Sequence, residues 1–442
     1  MLTRIRPTRG PSRANPVITH PISTAVLTEL TQRQVRWALL RSPADLTMSM
    51  DGDIDLLVHP SDMSVVKAVF LALGFLSVPR AGTHFLAYDA STDLWLWFHV
   101  VDALSFLGGQ VETDTAEACL ARRLPCEPSR LAPDDGFWVL LLHCALDKRA
   151  VAARHCSTLQ QLAATEPLAG PMANFMAGFC AMGSTTVTPH ALVEMVVKDQ
   201  WTGVEQTLWR LADQWGRRHR ASFLGRRRDE AKSYAAALRR ALRSPGLSVA
   251  LLGPDGAGKS TLATGIAASF KLPVSIMYMG LTGGFLQQVA RLRIPGVVFA
   301  GRALVIWRRY LRARLHQARG RLVVFDRYVF DAAVPHPRQL NRLERISRRL
   351  DGYLCPAPDL VLILDAPGEL MHRRKGEYDA EMLENWRRHF LALQQRIPDI
   401  VEVIDATQDK DAVRIDATQR IWRRYRAREA EHLATPVASR IS

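Results

Sequence analysis

At 442 residues the chain exceeds what one hydrophobic core ordinarily serves, so two or three domains are expected, and a hydrophobic content of 48% excludes a largely disordered chain. The net charge of +15 is carried by arginines scattered in clusters at 217–220, 226–228 and 308–314, with no basic strand interleaved with aromatics; this sets nucleic acid aside as an expected partner. The six cysteines show no C-x-x-C spacing, which suits buried thiols of a cytoplasmic protein rather than a zinc framework.

Residues 1–22, with Arg4, Arg6, Arg9 and Arg13 among prolines, lack the apolar segment of a secretory signal and read as a disordered basic tail. Apolar spacing predicts a helix over residues 24–40, a strand at Ile54–Val58 and a helix over 61–73 started by Ser61 and Asp62 as caps. Alternation predicts a further strand over Leu94–Val101. Asp53 and Asp55, one residue apart on a strand, project to the same face and can share a divalent metal. Asp102, just past the alternating strand, is the candidate third carboxylate. This pattern resembles the nucleotidyltransferase superfamily over residues 27–105, and implies an α+β nucleotidyltransferase-like domain spanning 23–130. The superfamily's upstream Gly-Ser loop is missing, its place taken by Leu40, Arg41, Ser42 and Pro43. The plainer alternative is a strand end capped by solvated aspartates.

Residues 131–246 read as a helical segment with a basic linker, closed by Pro245 and Gly246. No apolar run reaches spanning length; the nearest, residues 294–307, is broken by Arg302.

Beyond that punctuation lies Gly253-Pro254-Asp255-Gly256-Ala257-Gly258-Lys259-Ser260, which fits G-x-x-x-x-G-K-[ST]. An apolar strand precedes it and a helix follows from Ser260 and Thr261, the context that a phosphate-binding loop requires. The glycines let successive N–H groups point at phosphate oxygens, and the helix N-terminus adds its positive end. Lys259 would reach the β- and γ-phosphates, and Ser260 would offer its hydroxyl to Mg²⁺. Further strands are expected at 274–279, 322–325, 360–364 and 401–404, alternating with helices, which argues for a parallel sheet. The strand Leu322-Val323-Val324-Phe325 ends in Asp326, placed to hold Mg²⁺, followed by Arg327 and Tyr328.

The loop G-P-D-G-A-G-K-S-T, the strand ending D-R-Y, the strand closing on Asp365 and the segment Val403-Ile404-Asp405-Ala406 resemble, in order and spacing, the thymidylate kinases. The resemblance implies a P-loop NTPase domain over 247–428 and a tail over 429–442. It also implies MgATP as donor, a phosphate-bearing small acceptor held by Arg327 and a sugar-hydroxyl contact from Asp255. Arg373, Arg374 and Lys375 lie where such kinases carry a mobile lid; a loose phosphoryl-transfer transition state calls for a cation beyond Lys259, and the lid is the expected source. Two departures stand out. The family's Ser and Ala-Tyr-Gln stretch after D-R-Y is replaced by Val329-Phe330-Asp331-Ala332-Ala333-Val334-Pro335-His336, and the second-strand turn reads Tyr278-Met279-Gly280-Leu281-Thr282-Gly283-Gly284. The expectation is therefore a cytoplasmic ATP-dependent kinase, compatible with a homodimer, for which thymidylate is a poor acceptor. The alternatives are a kinase of another small polar metabolite, such as a sugar phosphate, and a catalytically silent ATP-binding regulator.

Overall fold

The computed structural model describes residues 20–40, 53–78, 83–126, 128–182, 187–218, 246–280, 295–335 and 342–434. Residues 1–19 and 435–442 of the tails, most of the basic linker, Arg41 to Pro43 and the turn residues Leu281 to Gly284 lie outside the described residues; the expected tails at 1–22 and 429–442 are shortened by helices that start at Pro21 and run to Ala434. Contacts divide the chain into two compact units, Met1–Ala87 with Leu96–Ala235, and Tyr88–Trp95 with Ala236–Ser442.

In the first unit, β1 (Trp37–Leu39), β2 (Ile54–Val58), β3 (Leu76–Ser77), β4 (His84–Asp89) and β5 (Leu94–Val101) form a sheet ordered β1-β2-β5-β4-β3. The helix expected over 24–40 is shorter: α1 runs Pro21–Gln32, the chain turns at Gln34 with φ 57°, and β1 follows. The turn is fixed from afar, because the Asp62 carboxylate accepts from the Arg36 backbone N at 3.0 Å and from its guanidinium at 2.9–3.0 Å. Asp62 is thereby diverted from capping. His59 caps a short 3₁₀ turn at Pro60–Asp62, and α2 begins at Met63 and ends at Ala72.

One sheet face builds an aromatic core. Phe70 of α2 packs on Phe75, Phe85 and Phe98 with ring centroids 5.1, 4.4 and 5.0 Å apart. All four rings are buried, a site type where Phe→Ala typically costs about 3–5 kcal/mol. The other face meets a second core in which Ala38 and Leu57 join helices α4 (Pro133–Leu142), α5 (Ala153–Ala163), α6 (Pro171–Ala181), α7 (Pro189–Val197) and α8 (Trp201–Arg218), α3 (Ala116–Ala121) preceding them. Trp138, fully buried there, donates its indole N–H to the Pro167 carbonyl at 2.7 Å.

The second unit is α/β. Strands β8 (Ser248–Leu252), β9 (Val274–Tyr278), β10 (Leu322–Asp326), β11 (Leu360–Asp365) and β12 (Val401–Asp405) pair in parallel, in the order β12-β11-β8-β10-β9. The short hairpin β6 (Leu104–Phe106) and β7 (Val111–Thr113) belongs to the first unit. The central β8 is buried along its whole length, as its unbroken apolar run requires of a strand covered on both faces. Its start is pinned: Ser248 donates from N and Oγ to Asp359 at 2.8 and 2.7 Å, and buried Gln317 donates to the Gly246 carbonyl at 3.0 Å. A five-strand all-parallel sheet with the loop leaving its central strand is compatible with a P-loop fold. Among the described residues, no helix is long and apolar enough to cross a membrane.

Candidate functional site

Because the strands are parallel, β10, β11 and β12 deliver their terminal aspartates to one edge, the edge where a doubly wound sheet binds ligands. The three carboxylates have different employment. Asp365 is gripped by Arg387 at 2.5 and 3.0 Å. Asp405 closes its own turn, accepting from the N and Oγ of Thr407 at 2.9 and 2.6 Å. Asp326 alone of the three accepts from the loop, taking the Ser260 hydroxyl at 2.7 Å.

The loop itself is built on left-handed glycines. Gly253, Gly256 and Gly258 have φ of 140°, 88° and 96°, values L side chains adopt only under strain. A Cβ on Gly256 would also collide with the Met371 carbonyl, so the loop lies against the backbone of α12 (Gly368–Lys375). Gly258 caps α9 (Lys259–Ser269), whose first residue is the lysine. Lys259 is buried, and its Nζ donates to the carbonyls of Gly253 and Pro254 at 2.7 and 2.8 Å. Burial, aided by the Arg327 charge, pulls its pKa down to about 8, against partial compensation from Asp331, Asp255 and Asp326.

Asp255 sits among three cations. Its Oδ1 lies 2.5 Å from Arg327, 3.8 Å from Lys375 Nζ and 3.9 Å from Lys259 Nζ. Arg327 reaches it from a backbone held at φ 71°, immediately after β10, and also approaches Asp331 at 3.7 Å. Burial pushes the Asp331 carboxyl up to about 6, with Arg327 and Lys259 opposing the rise. Asp255, Lys259, Ser260, Asp326, Arg327 and Lys375 line a cavity of about 860 Å³, together with Thr261, Ala257, Tyr278, Arg374 and the segment running from β12 into α14 (Lys410–Ala434).

The lid candidates separate. Arg374 and Lys375 line the cavity, with Arg374 donating to the Ala406 carbonyl at 3.0 Å, whereas Arg373 is exposed and outside the lining. Three groups here went unread in the sequence. Asp331 and Tyr278 carry no motif, and the grip of Arg387 on Asp365 pairs positions 22 residues apart. The replaced acceptor stretch forms a 3₁₀ turn at Val329–Ala333. Arg348 pins it by donating to the carbonyls of Asp331, Ala332 and Val334 at 2.9–3.1 Å. His336 lies outside the described residues.

In the first unit, β2 and β5 run parallel with Asp55 opposite His99. Asp55 lies on β2, and Asp53 immediately precedes that strand. Asp102 lies three positions past His99, roughly 10 Å along the strand at the usual rise per residue, so the three aspartates are not brought to one point.

No protein-family model matches the chain, and no curated protein matches it. Among solved structures, the chain is similar to the thymidylate kinase of Candida albicans, at 17% identity over 41% of this chain and 93% of that chain, with a TM-score of 0.34.

Proposed function

We propose that the second unit is an ATP-dependent phosphotransferase of the nucleoside monophosphate kinase type, acting on a small phosphate-bearing acceptor. The observation that carries this reading is the convergence, in one cavity, of a left-handed glycine loop, a buried lysine, a hydroxyl–carboxylate pair and the Arg327–Asp255–Lys375 cluster. Loop N–H groups and Lys259 bind the donor phosphates. Ser260 and Asp326 are hard oxygen donors that fit Mg²⁺, which when bound would neutralise charge on the donor oxygens. Arg327 exchanges Asp255 for the acceptor phosphate, which frees the Asp255 carboxylate for an acceptor hydroxyl. Arg374 and Lys375 add positive charge where it develops in the transition state.

Thymidylate is a poor acceptor in this reading, because the pinned turn at Val329–Ala333 offers no side-chain amide for a pyrimidine and a site lacking such groups loses discrimination for the base. The test is a mass-spectrometric screen of nucleotides and sugar phosphates with MgATP, with Lys259→Ala as control. A phosphorylated product that depends on Lys259 is expected. ATP binding without any phosphorylated acceptor would instead favour a silent regulator, and a kcat/KM for thymidylate of about 10⁴ M⁻¹s⁻¹ or more would overturn the acceptor assignment.

A further inference from the structure

We propose that the first unit carries a site for a divalent transition metal of the zinc class, formed by Asp53, His84 and His99, with Asp55 orienting one of the imidazoles. The sheet produces it directly. On β4 and β5, alternation sends Phe85 and Phe98 into the aromatic core and His84 and His99 to the opposite face, where Asp53, immediately before β2, joins them. One potential ligand atom from each of the three lies within 4.8 Å of the others; among the described residues this is the one such trio.

The imidazoles are held ready. His99 Nδ1 meets Asp55 Oδ1 at 2.9 Å, a bond that puts the proton on Nδ1 and leaves the Nε2 lone pair for a metal. This is the carboxylate–histidine–metal relay by which a ligand is aimed and made more basic. His84 stacks on His99 with centroids 4.2 Å apart and planes 21° from parallel, Trp97 stands edge-on to it at 5.8 Å, and its Nδ1 lies 3.3 Å from the Thr83 hydroxyl. The ring therefore has little freedom to swing away.

The ligand types decide the metal. Mg²⁺ takes oxygen ligands at near-octahedral geometry, whereas imidazole suits zinc, nickel, copper and iron. Two histidines and a carboxylate are three protein ligands, which leave an open position for water or an anionic ligand. The sequence pattern of paired aspartates pointed to a divalent metal of no particular class; the histidine seated beside Asp55 favours the zinc class.

The experiment uses the full chain, stripped with a chelator and titrated with Zn²⁺ and Co²⁺. One equivalent is expected, with cobalt bands lacking thiolate charge transfer. Excess Mg²⁺ should not displace the metal, and Lys259→Ala should bind it unchanged. The double change His84→Gln and His99→Gln should weaken Zn²⁺ at least tenfold, and Asp55→Asn by roughly ten- to a hundredfold, with unchanged far-UV circular dichroism of the apo proteins. In the unmutated chain, stoichiometric Zn²⁺ should shield His84 and His99 from acylation by diethyl pyrocarbonate, mapped by mass spectrometry. Unshielded histidines, thiolate charge transfer, ready displacement by Mg²⁺ or unchanged Zn²⁺ affinity in the double variant would each overturn the proposal.

Discussion

Lys259 shows how much a single residue's surroundings add to a motif. The glycine spacing names it a phosphate ligand, but its low pKa comes from burial and from Arg327, which is 68 positions away in the chain. The sign of the consequence follows. The folded value of about 8 lies below the ordinary 10.5, so the unfolded chain holds the extra proton between these two values and the stability of the ligand-free protein rises with pH across that window. A polyphosphate reverses the preference by favouring the cation. Binding of MgATP above about pH 8 should therefore take up a proton, and affinity should fall by up to about tenfold per pH unit. Calorimetry in buffers of different ionisation heat, with Lys259→Ala as reference, measures this; an uptake equal in both proteins would show that another group titrates. Arg327 is a second case. Its φ of 71° could not be read from sequence, though its place after Asp326 could. Arg327→Ala should cut acceptor kcat/KM roughly ten- to a hundredfold, the worth of a charge-assisted bond of about 1.5–3 kcal/mol, and move the ATP KM less. An effect confined to the ATP KM would assign Arg327 to the donor.

At the level of elements, β8, β10 and β11 were legible as continuous apolar runs, whereas Ser275 and Glu402 interrupt β9 and β12; the structure extends β10, β11 and β12 only to the aspartate that follows. The first unit was harder. Strands β1, β3, β6 and β7 have two or three residues each, too short for a period to show. The region 24–40 looked helical because its apolar spacing continues past the turn that the Arg36–Asp62 pairing imposes. The position of Asp102 depended on the register between β2 and β5, which is non-local. The helix α12, which carries the proposed lid cations, is likewise informative only when folded. Its first residue is tied to Glu384 of α13 (Ala380–Arg396) at 3.0 Å, and it ends at Gly376 with φ 70°, with Arg374 held by the Ala406 carbonyl and Lys375 near Asp255 at that end. The double change Arg374→Ala with Lys375→Ala should lower kcat by about tenfold or more while leaving ATP affinity nearly unchanged, since these groups act most in the closed, near-transition-state arrangement. Arg373→Ala should leave kcat close to the parent. Steady-state kinetics of both variants decides it: equal losses would mean that bulk positive charge, and not position, matters.

For the whole molecule, the proposed nucleotide site is lined by residues of the second unit alone. MgATP at about a hundredfold excess over its Kd should stabilise the unit that binds it by about 2.7 kcal/mol. Hydrogen exchange read by mass spectrometry should then slow in the loop after β8, the start of α9 and the end of β10. The aromatic core around Phe70 should exchange as before. Slowing spread evenly through Phe70 and Phe98 would mean that the nucleotide is also held by the first unit. The scale of the site explains what sequence could not supply. The glycine loop is a local motif of eight residues, whereas the turn that Arg348 pins at Asp331 and the cavity wall at Tyr278 come from separate segments of the chain.

The placement of Asp255 among Lys259, Arg327 and Lys375 has one more consequence. The site carries a tethered competitor. Any anion that enters must displace a carboxylate whose effective concentration is set by its own backbone, and a small monoanion or dianion gains little by the exchange. A polyphosphate, touching the loop N–H groups and several cations at once, gains more than it displaces. The cavity is thereby insulated from the sulfate and orthophosphate of its surroundings without any steric filter. Asp255→Asn should make that insulation fail: inorganic sulfate should inhibit the variant at concentrations roughly tenfold or more below those needed for the parent, the counterpart of about 1.4 kcal/mol. Identical sulfate inhibition of the two proteins would show that Asp255 sets no such threshold.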